Sequence, residues 1–579
     1  MMIKTLIKSV RQYKGQTLLA SLFMVLEVTV EVLVPFFMAS LIDFGIDAGN
    51  MEHIVRLGTM LILFALMSLT FGSLSGVFTA SASAGFSSNL RRDIFVSIQR
   101  FSFSNIDRFS SASLVTRLTT DVSNVFMAYQ AIIRHAVRAT FMIAFALIMA
   151  FKTNSQVALT FVAISPVLAF GLFFIIAKAH PFFVKALHTY DKLNNVVAEN
   201  LQGIRTVKSF VRSEEEKQKF GVISEEVYSF FTGGQKRVAF NMPLIQLCTY
   251  AGILLIAWFG AKLIVSDSMT TGDLMSMLAY IMQILMNLML LSMVFVQIII
   301  ARSSVERIVE VLNEESDLRN PENPVTEVKD GSIFFENVDF SYVGDENKLC
   351  LTGANIDIAS GETIGILGGT GSSKTSLVQL IPRLYDVTKG KVLVGGIDVR
   401  AYDIEALRNE VAMVLQTNLL FSGTIKENLR WGNPDANDRD IMHACKLAQA
   451  DEFIQSFPKG YDTHIEEGGT NVSGGQRQRL CIARSLLKKP KILILDDSTS
   501  AVDTKTDTLI RKAFREEISK TTKIIIAQRV SSVQDADRII VMDNGGISAI
   551  GSHDELIKTS DIYKEIYQIQ MQGGGDFDE

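Results

Sequence analysis

The chain has 579 residues, of which 48% are hydrophobic, and a mean hydropathy of +0.26; that length implies more than one domain, and those values are high for a soluble protein and predict a membrane-embedded part. The formal net charge of −5 is small for this length and argues against a global field of the kind that gathers nucleic acid, so no nucleic-acid partner is expected. Four cysteines, Cys248, Cys350, Cys445 and Cys481, lie far apart without CxxC or metal-ligand spacing and read as buried, reduced thiols.

In chain order, six apolar runs come first, at approximately 17–42, 56–80, 131–151, 156–177, 243–265 and 274–300. Each suffices for the roughly 20 residues that cross a bilayer core as helix. The first run is too long for a cleaved signal, carries Glu27 and Glu31, and is expected to remain. Lys4, Lys8, Arg11 and Lys14 precede it, whereas Asp43, Asp47 and Glu52 follow it, which sets the N-terminus on the cytoplasmic side of a cell membrane. Six spans return the chain to that side, so everything after the sixth is expected in the cytoplasm.

The segments 81–130 and 178–242 are long, polar and helical in pattern, and read as helices continuing into the cytoplasm. Each has a turn-like middle, near 103–109 and near 210–215, where a short crosswise helix could touch a soluble domain. The expected domains are an α-helical membrane domain over 1–318, a linker over 319–330 that carries the breakers of NPENP, and an α/β nucleotide-binding domain over 331–579. In the last, β-branched runs at 363–367, 492–495, 523–526 and 538–542 alternate with helical stretches. The terminal GGGDFDE is expected to be disordered.

Gly368, Gly369, Thr370, Gly371, Ser372, Ser373, Lys374 and Thr375 follow an apolar strand and precede a helical stretch, which is the setting of a P-loop. Backbone N–H groups there wrap phosphates, Lys374 neutralises them and the Thr375 hydroxyl reaches Mg²⁺. Downstream, the strand Ile492-Leu493-Ile494-Leu495 ends in Asp496 and Asp497, as a strand that presents an aspartate to the metal does; alone it would be an ordinary buried strand with a polar end. Between them lies Ser473-Gly474-Gly475-Gln476-Arg477-Gln478-Arg479.

This SGGQRQR string, with the P-loop and the acidic strand end, resembles the signature of ATP-binding-cassette proteins, and the resemblance to their exporter branch covers essentially the whole chain, including ENLQGIRTVKSF. It implies ATP and Mg²⁺ as cofactors. Tyr342 in VDFSY is similar to the aromatic residue that stacks on adenine; Gln416 resembles the glutamine that senses the γ-phosphate and shares the metal with Thr375 and Asp496. Glu467 lies in a stretch similar to the X-loop, and Ser500-Ala501-Val502-Asp503 to the D-loop. In such cassettes two domains meet head to tail, so Ser473, Gly474, Gly475 and Gln476 serve an ATP held by a partner's P-loop.

Three departures lie on the side of the chain's own P-loop: Ser373 for glycine, Asp497 for the catalytic glutamate, and Gln528 for the switch histidine. Asp497 has one methylene fewer, which withdraws its carboxylate by roughly 1.5 Å, and a misplacement of about 1 Å can cost on the order of 10²-fold in rate. Gln528 can donate a hydrogen bond but cannot exchange a proton near neutral pH. Lys374, Asp496 and Tyr342 are retained, so ATP should bind while turnover is slow. The resemblance implies a heterodimer with a second half-transporter that supplies the competent glutamate and histidine; a homodimer that tolerates the substitutions is the alternative.

For cargo, hydrophobic or amphipathic compounds lead, with a lipid or peptide exporter, or an ATP-gated regulatory subunit that does not pump, as alternatives. Glu27 and Glu31 stand one helical turn apart in the first span, where acids cost about 2.5 to 3.5 kcal/mol on insertion scales. They either bind cationic amphiphiles or pair with Arg134 or Arg138. Met275, Met282, Met286, Met289 and Met293 share a face of the sixth span, either as an adaptable pocket or as lipid-facing packing.

Overall fold

The computed structural model describes residues 2–498 and 501–573. Contacts divide the chain into two compact units: one holds the chain up to Gln99 together with Ser110–Glu314, the other Arg100–Phe109 together with the chain from Glu315 onward.

In the first unit six helices are long and apolar enough to cross a membrane: Arg11–Ile46, Met51–Gln99, Ser111–Thr153, Ser155–Gln202, Ser213–Val265 and Thr271–Asn313. Each contains one of the six apolar runs, and a helix is the form that satisfies every backbone N–H and C=O within one segment. The short turns on one side are set by polar caps. Asn154 accepts from the backbone amides of Gln156 and Val157 at 3.0 and 3.1 Å, and Thr270 and Asp273 form a capping box at the start of the last helix. Asp43, near the end of the first, accepts from the Thr270 hydroxyl at 2.6 Å and from the Gly272 amide at 2.8 Å. A Cβ on Gly272 would stand 2.3 Å from the Ala39 carbonyl oxygen, so only glycine lets these two helices meet there.

On the opposite side the helices run on as long excursions. The first carries the short helix Phe103–Phe109 at the expected place, and that segment belongs to the second unit. The second excursion differs. Its turn falls at Phe210–Arg212, with Val211 at φ 55°, but the short helix, Ile204–Ser209, comes before the turn. Ser213 instead opens the next long helix, whose first turn holds Glu214, Glu215 and Glu216, acids that favour a helix N-terminus.

The acidic pair of the first span is engaged. The Arg138 guanidinium donates to Glu27 and to Glu31, both at 2.7 Å, so one fork closes on two carboxylates one turn apart. Glu27 fits because Gly72 faces it: a Cβ at that glycine would lie 3.1 Å from the carboxyl carbon. Of the two arginines considered, Arg138 makes the bonds. Because removing one member of a buried ionic group leaves its partners uncompensated, Arg138→Leu is expected to lower the thermal unfolding midpoint of the detergent-solubilised chain, and the triple change Glu27→Gln, Glu31→Gln, Arg138→Leu to recover most of the loss. A melting curve for Arg138→Leu that matches the unaltered chain would contradict this.

The second unit has a six-stranded sheet in the order Gly546–Gly551, Arg538–Asp543, Thr363–Gly368, Thr522–Ile526, Ile492–Asp496, Val411–Val414. All neighbours pair in parallel except the first two strands. The runs at 492–496 and 522–526 are buried throughout, as parallel strands covered on both faces require. A four-stranded antiparallel sheet, Leu351–Ile358, Ile333–Phe340, Lys389–Val394, Ile397–Asp398, packs beside it. Part of the segment read as a linker is bonded to this unit: Val325 donates its amide to the Ala401 carbonyl at 2.9 Å, and Asn320 bonds Asp403 at 2.5 Å. The terminal residues 574–579 lie outside the described residues.

Candidate functional site

Register brings the chemistry-bearing residues together. Ile526 sits opposite Ile366 on one neighbouring strand and Asp496 on the other, so two strands end together and the third runs on to Gly368 at the same edge of the sheet. The glycine-rich loop leaves the strand that ends at Gly368, Asp497 follows the one that ends at Asp496, and Gln528 the one that ends at Ile526. This is the carboxyl edge of an open α/β sheet, where ligands of such folds bind.

The loop's form explains its composition. A Cβ on Gly368 would meet the Met542 carbonyl oxygen at 2.3 Å, and Gly371 has φ +83°. Ser373 is left-handed, with φ 67° and ψ 25°, which is why glycine is usual there; a residue with a Cβ costs roughly 1–2 kcal/mol in that conformation. Helix Lys374–Gln379 begins at once. The Lys374 ammonium donates to the carbonyls of Gly368 at 3.0 Å and Gly369 at 2.8 Å, and to the Ser372 hydroxyl at 3.3 Å. Burial holds its pKa below the usual lysine value, while Asp496 and Asp497 oppose that shift.

Asp496 is 2% exposed, and one of its oxygens, Oδ2, is buried without a hydrogen-bond partner. Burial raises its pKa; the nearby Thr375 hydroxyl acts the other way. An orphaned carboxylate oxygen beside a hydroxyl is a hard-oxygen pair that suits Mg²⁺. Among the described residues no three His, Cys, Asp or Glu side chains gather as a metal cage, so an ion here would draw further ligands from nucleotide phosphates and water.

Two of the departures touch each other. The Gln528 amide nitrogen donates to Asp497 Oδ2 at 2.8 Å. Asp497, at φ 49°, is further fixed by its own amide, which donates to the Ile526 carbonyl at 3.0 Å. Burial raises the Asp497 pKa and the Gln528 bond counters it. Gln570, on the helix Asp561–Gly573, donates to the Gln528 carbonyl at 2.8 Å and accepts the Val530 amide at 2.8 Å. Sequence reasoning did not find Gln570, because no motif or spacing marks it.

Tyr342 reaches the same place from the antiparallel sheet. Its hydroxyl bonds Ser376 at 2.8 Å and donates to Gln379 at 3.2 Å, both on the helix after the loop, and its ring meets Phe340 and Tyr385 edge-on. It stays 45% exposed, so the ring is anchored yet presents surface for stacking. Gln416 is exposed, in the loop after Val411–Val414, at the same edge of the sheet.

The signature residues stand on another element. Ser473 caps helix Gly474–Leu487 in a capping box with Gln476, and a Cβ on Gly475 would stand 2.7 Å from the Ala501 carbonyl oxygen. Gln478 accepts the Ala501 amide at 3.0 Å, so the signature helix and the D-loop are joined within one chain. Asp503 caps the next helix through the Thr506 amide, which holds its pKa down. Ser500 lies outside the described residues. Among the described residues no hydrogen bond joins Ser473–Gln476 to the glycine-rich loop. Glu467 opens a short turn, Glu467–Gly469, with Gly468 at φ 71°.

The family described as ABC transporter transmembrane region matches residues 17–289, and that described as ABC transporter matches residues 351–500. An uncharacterised ABC transporter ATP-binding protein of Bacillus subtilis, YfiB, is 35% identical over 97% of this chain and 98% of its own length. One of Mycobacterium tuberculosis is 33% identical over 98% and 97%. Among solved structures, a bacterial Atm1-family ABC exporter with ATP bound superposes with a TM-score of 0.83 at 22% identity, covering 96% of this chain and 99% of that one, a likeness of fold. The chain belongs to the ABC transporter family, as a half-transporter of the exporter fold in which six apolar helices are joined to one ATP-binding cassette.

Proposed function

We propose that this chain is one subunit of a heterodimeric exporter of hydrophobic or amphipathic compounds in the cell membrane, and that its own P-loop site binds ATP but cleaves it slowly. The bond between Gln528 and Asp497 carries the reading. A catalytic carboxylate must be free to polarise water. Here the shorter Asp497 spends one oxygen on an amide that can neither accept nor return a proton near neutral pH. The same contact ties the two positions to one step, so their losses are not independent.

The binding parts are intact. Lys374, the loop amides, Tyr342 and the Thr375–Asp496 pair form a set able to hold nucleotide with Mg²⁺, whose chemistry there is to neutralise phosphate charge. The signature, Ser473 to Gln476, is well capped and stands away from this loop, which suits service to an ATP on the P-loop of a second half-transporter. Gln416 and Asp503 complete the contacts assigned to the nucleotide edge and the cassette interface.

For cargo, Met275, Met282, Met286 and Met293 are 43–61% exposed on the sixth helix, an unspent flexible apolar face. Glu27 and Glu31 are read as structural, since Arg138 already bonds both.

The purified chain is expected to retain ATP and hydrolyse it slowly, and the pair Asp497→Glu with Gln528→His to raise turnover on the order of 10²-fold in a single-turnover assay. Rapid hydrolysis by the unaltered chain, abolished by Asp497→Asn, would overturn the slow-site reading. Co-assembled in vesicles with a second half-transporter, the chain should drive dye movement against a gradient, and removal of the second half's catalytic glutamate should stop it. Dye that merely runs down its gradient when ATP is added would point to gating rather than pumping.

A further inference from the structure

A groove of 640 Å³ lies between the fourth and fifth long helices of the first unit. Its walls are Phe174, Phe240, Leu244 and Leu247, and two cations, Lys178 and Arg237, line it with them; among the described residues no acidic one does. Phe174, Phe240 and Leu247 are 53%, 66% and 67% exposed, a burden in water that a hydrocarbon surrounding removes. The groove is shaped by a close packing point: a Cβ on Gly171 would stand 2.5 Å from a Leu244 methyl.

Depth separates the innermost apolar walls from the charges. Along the helix that starts at Ser155, about 24 Å leads to Gly171 and about 35 Å to Lys178, at 1.5 Å per residue. Along the helix Asn241–Val265, about 27 Å leads back to Leu247 and about 36 Å to Asn241, with Arg237 beyond it on the preceding helix. A hydrocarbon core is roughly 30 Å thick. The innermost walls therefore fall within hydrocarbon, and the cations fall just past it, among headgroups, on the side of the long excursions.

The two cations are presented differently. Arg237 is fixed, donating to the Gly233 carbonyl at 2.6 Å with its guanidinium carbon 3.8 Å over the Phe182 ring, and a guanidinium so held keeps further N–H donors. Lys178 lies 5.7 Å over Phe174 and has no ion pair or hydrogen bond among the described residues. One heptad further along the same helix face, Lys185 continues the positive charge toward the cytoplasm.

We propose that this groove binds an anionic phospholipid of the cytoplasmic leaflet, with an acyl chain against Phe174 and Leu247 and the phosphate on Lys178 and Arg237. Charge complementarity selects this occupant. A zwitterionic headgroup brings its own cation to a site that already holds two, and a neutral hydrophobic compound makes no use of either. The assignment does not depend on the cargo or on the rate at the nucleotide site.

The test uses the full chain in mild detergent with equal amounts of phosphatidylglycerol and phosphatidylcholine, counting bound lipid by native mass spectrometry. Phosphatidylglycerol should be preferred, and Lys178→Gln with Arg237→Gln should reduce the preference by roughly thirtyfold, about five- to sixfold for each cation lost near a membrane surface. The charge-keeping pair Lys178→Arg with Arg237→Lys should retain it, which separates charge from misfolding. Leu247→Trp, filling the groove from an exposed wall, should remove one tightly held phosphatidylglycerol. Equal retention of both lipids by the unaltered chain, or an undiminished preference after both glutamine changes, would overturn the proposal. So would a photoreactive group at Leu247 that captures a helix of a second half-transporter instead of lipid.

Discussion

The nucleotide edge of this protein rests on strand register. Ile526 is paired between Ile366 and Asp496, and that alignment brings a glycine-rich loop, two aspartates and a glutamine from distant parts of the chain to one edge of the sheet. Sliding one strand by a single residue would exchange the side chains on the sheet's two buried faces, and the fully buried runs 492–496 and 522–526 would both have to repack, which makes such a slip costly. The arrangement is thus held by apolar burial behind it. Its polar members need only short reaches from strand ends to meet.

Within that frame the Asp497–Gln528 bond changes how the substitutions are understood. As separate losses they would subtract a nucleophile-activating group and a proton-exchanging group. As a bonded pair they form a new unit, in which an amide satisfies a carboxylate that a shorter side chain has withdrawn. Gln570 extends the unit by gripping the backbone on both sides of Arg529. Three elements, the strand end after Asp496, the loop after Ile526 and the last described helix, therefore share one hydrogen-bonded cluster. A cluster so tied opposes the small displacements on which water activation depends.

Much of the molecule could be read from its residues because the strongest signals were physical periods and local motifs. Apolar runs long enough for a bilayer marked all six spans, and β-branched runs of four or five residues marked four of the six strands of the main sheet. Contacts made across the chain were a different matter. Arg134 and Arg138 stand one helical turn apart, so spacing could not choose between them, and only packing selects the fork on Arg138. The short helix of the second excursion falls at Ile204–Ser209 and not at 210–215, because the turn at Phe210–Arg212 is made by residues that are not turn formers, with Val211 at φ 55°, and so carries no local mark. Gln570 bears no local mark at all, since its role comes from where the terminal helix docks. Exposure of the methionine face on the sixth helix likewise depends on which neighbours the fold supplies.

Backbone strain reaches the nucleotide edge, although most of the positive-φ non-glycine residues among the described residues stand elsewhere in the chain. Ser373 and Asp497 both hold positive φ, at 67° and 49°, and each costs on the order of 1–3 kcal/mol that the surroundings must offset. Those surroundings are visible. The Ser373 carbonyl accepts the Leu377 amide at 3.0 Å, and the Asp497 amide is bonded to the neighbouring strand. Glycine at position 373 would relieve the first without altering a contact made by its side chain, since the serine caps no backbone group of the helix it precedes. The strained conformation therefore belongs to the loop and not to the residue, which places the change at Ser373 apart from those at Asp497 and Gln528: it taxes stability, whereas the other two, on the proposed reading, alter groups that would act on the phosphate.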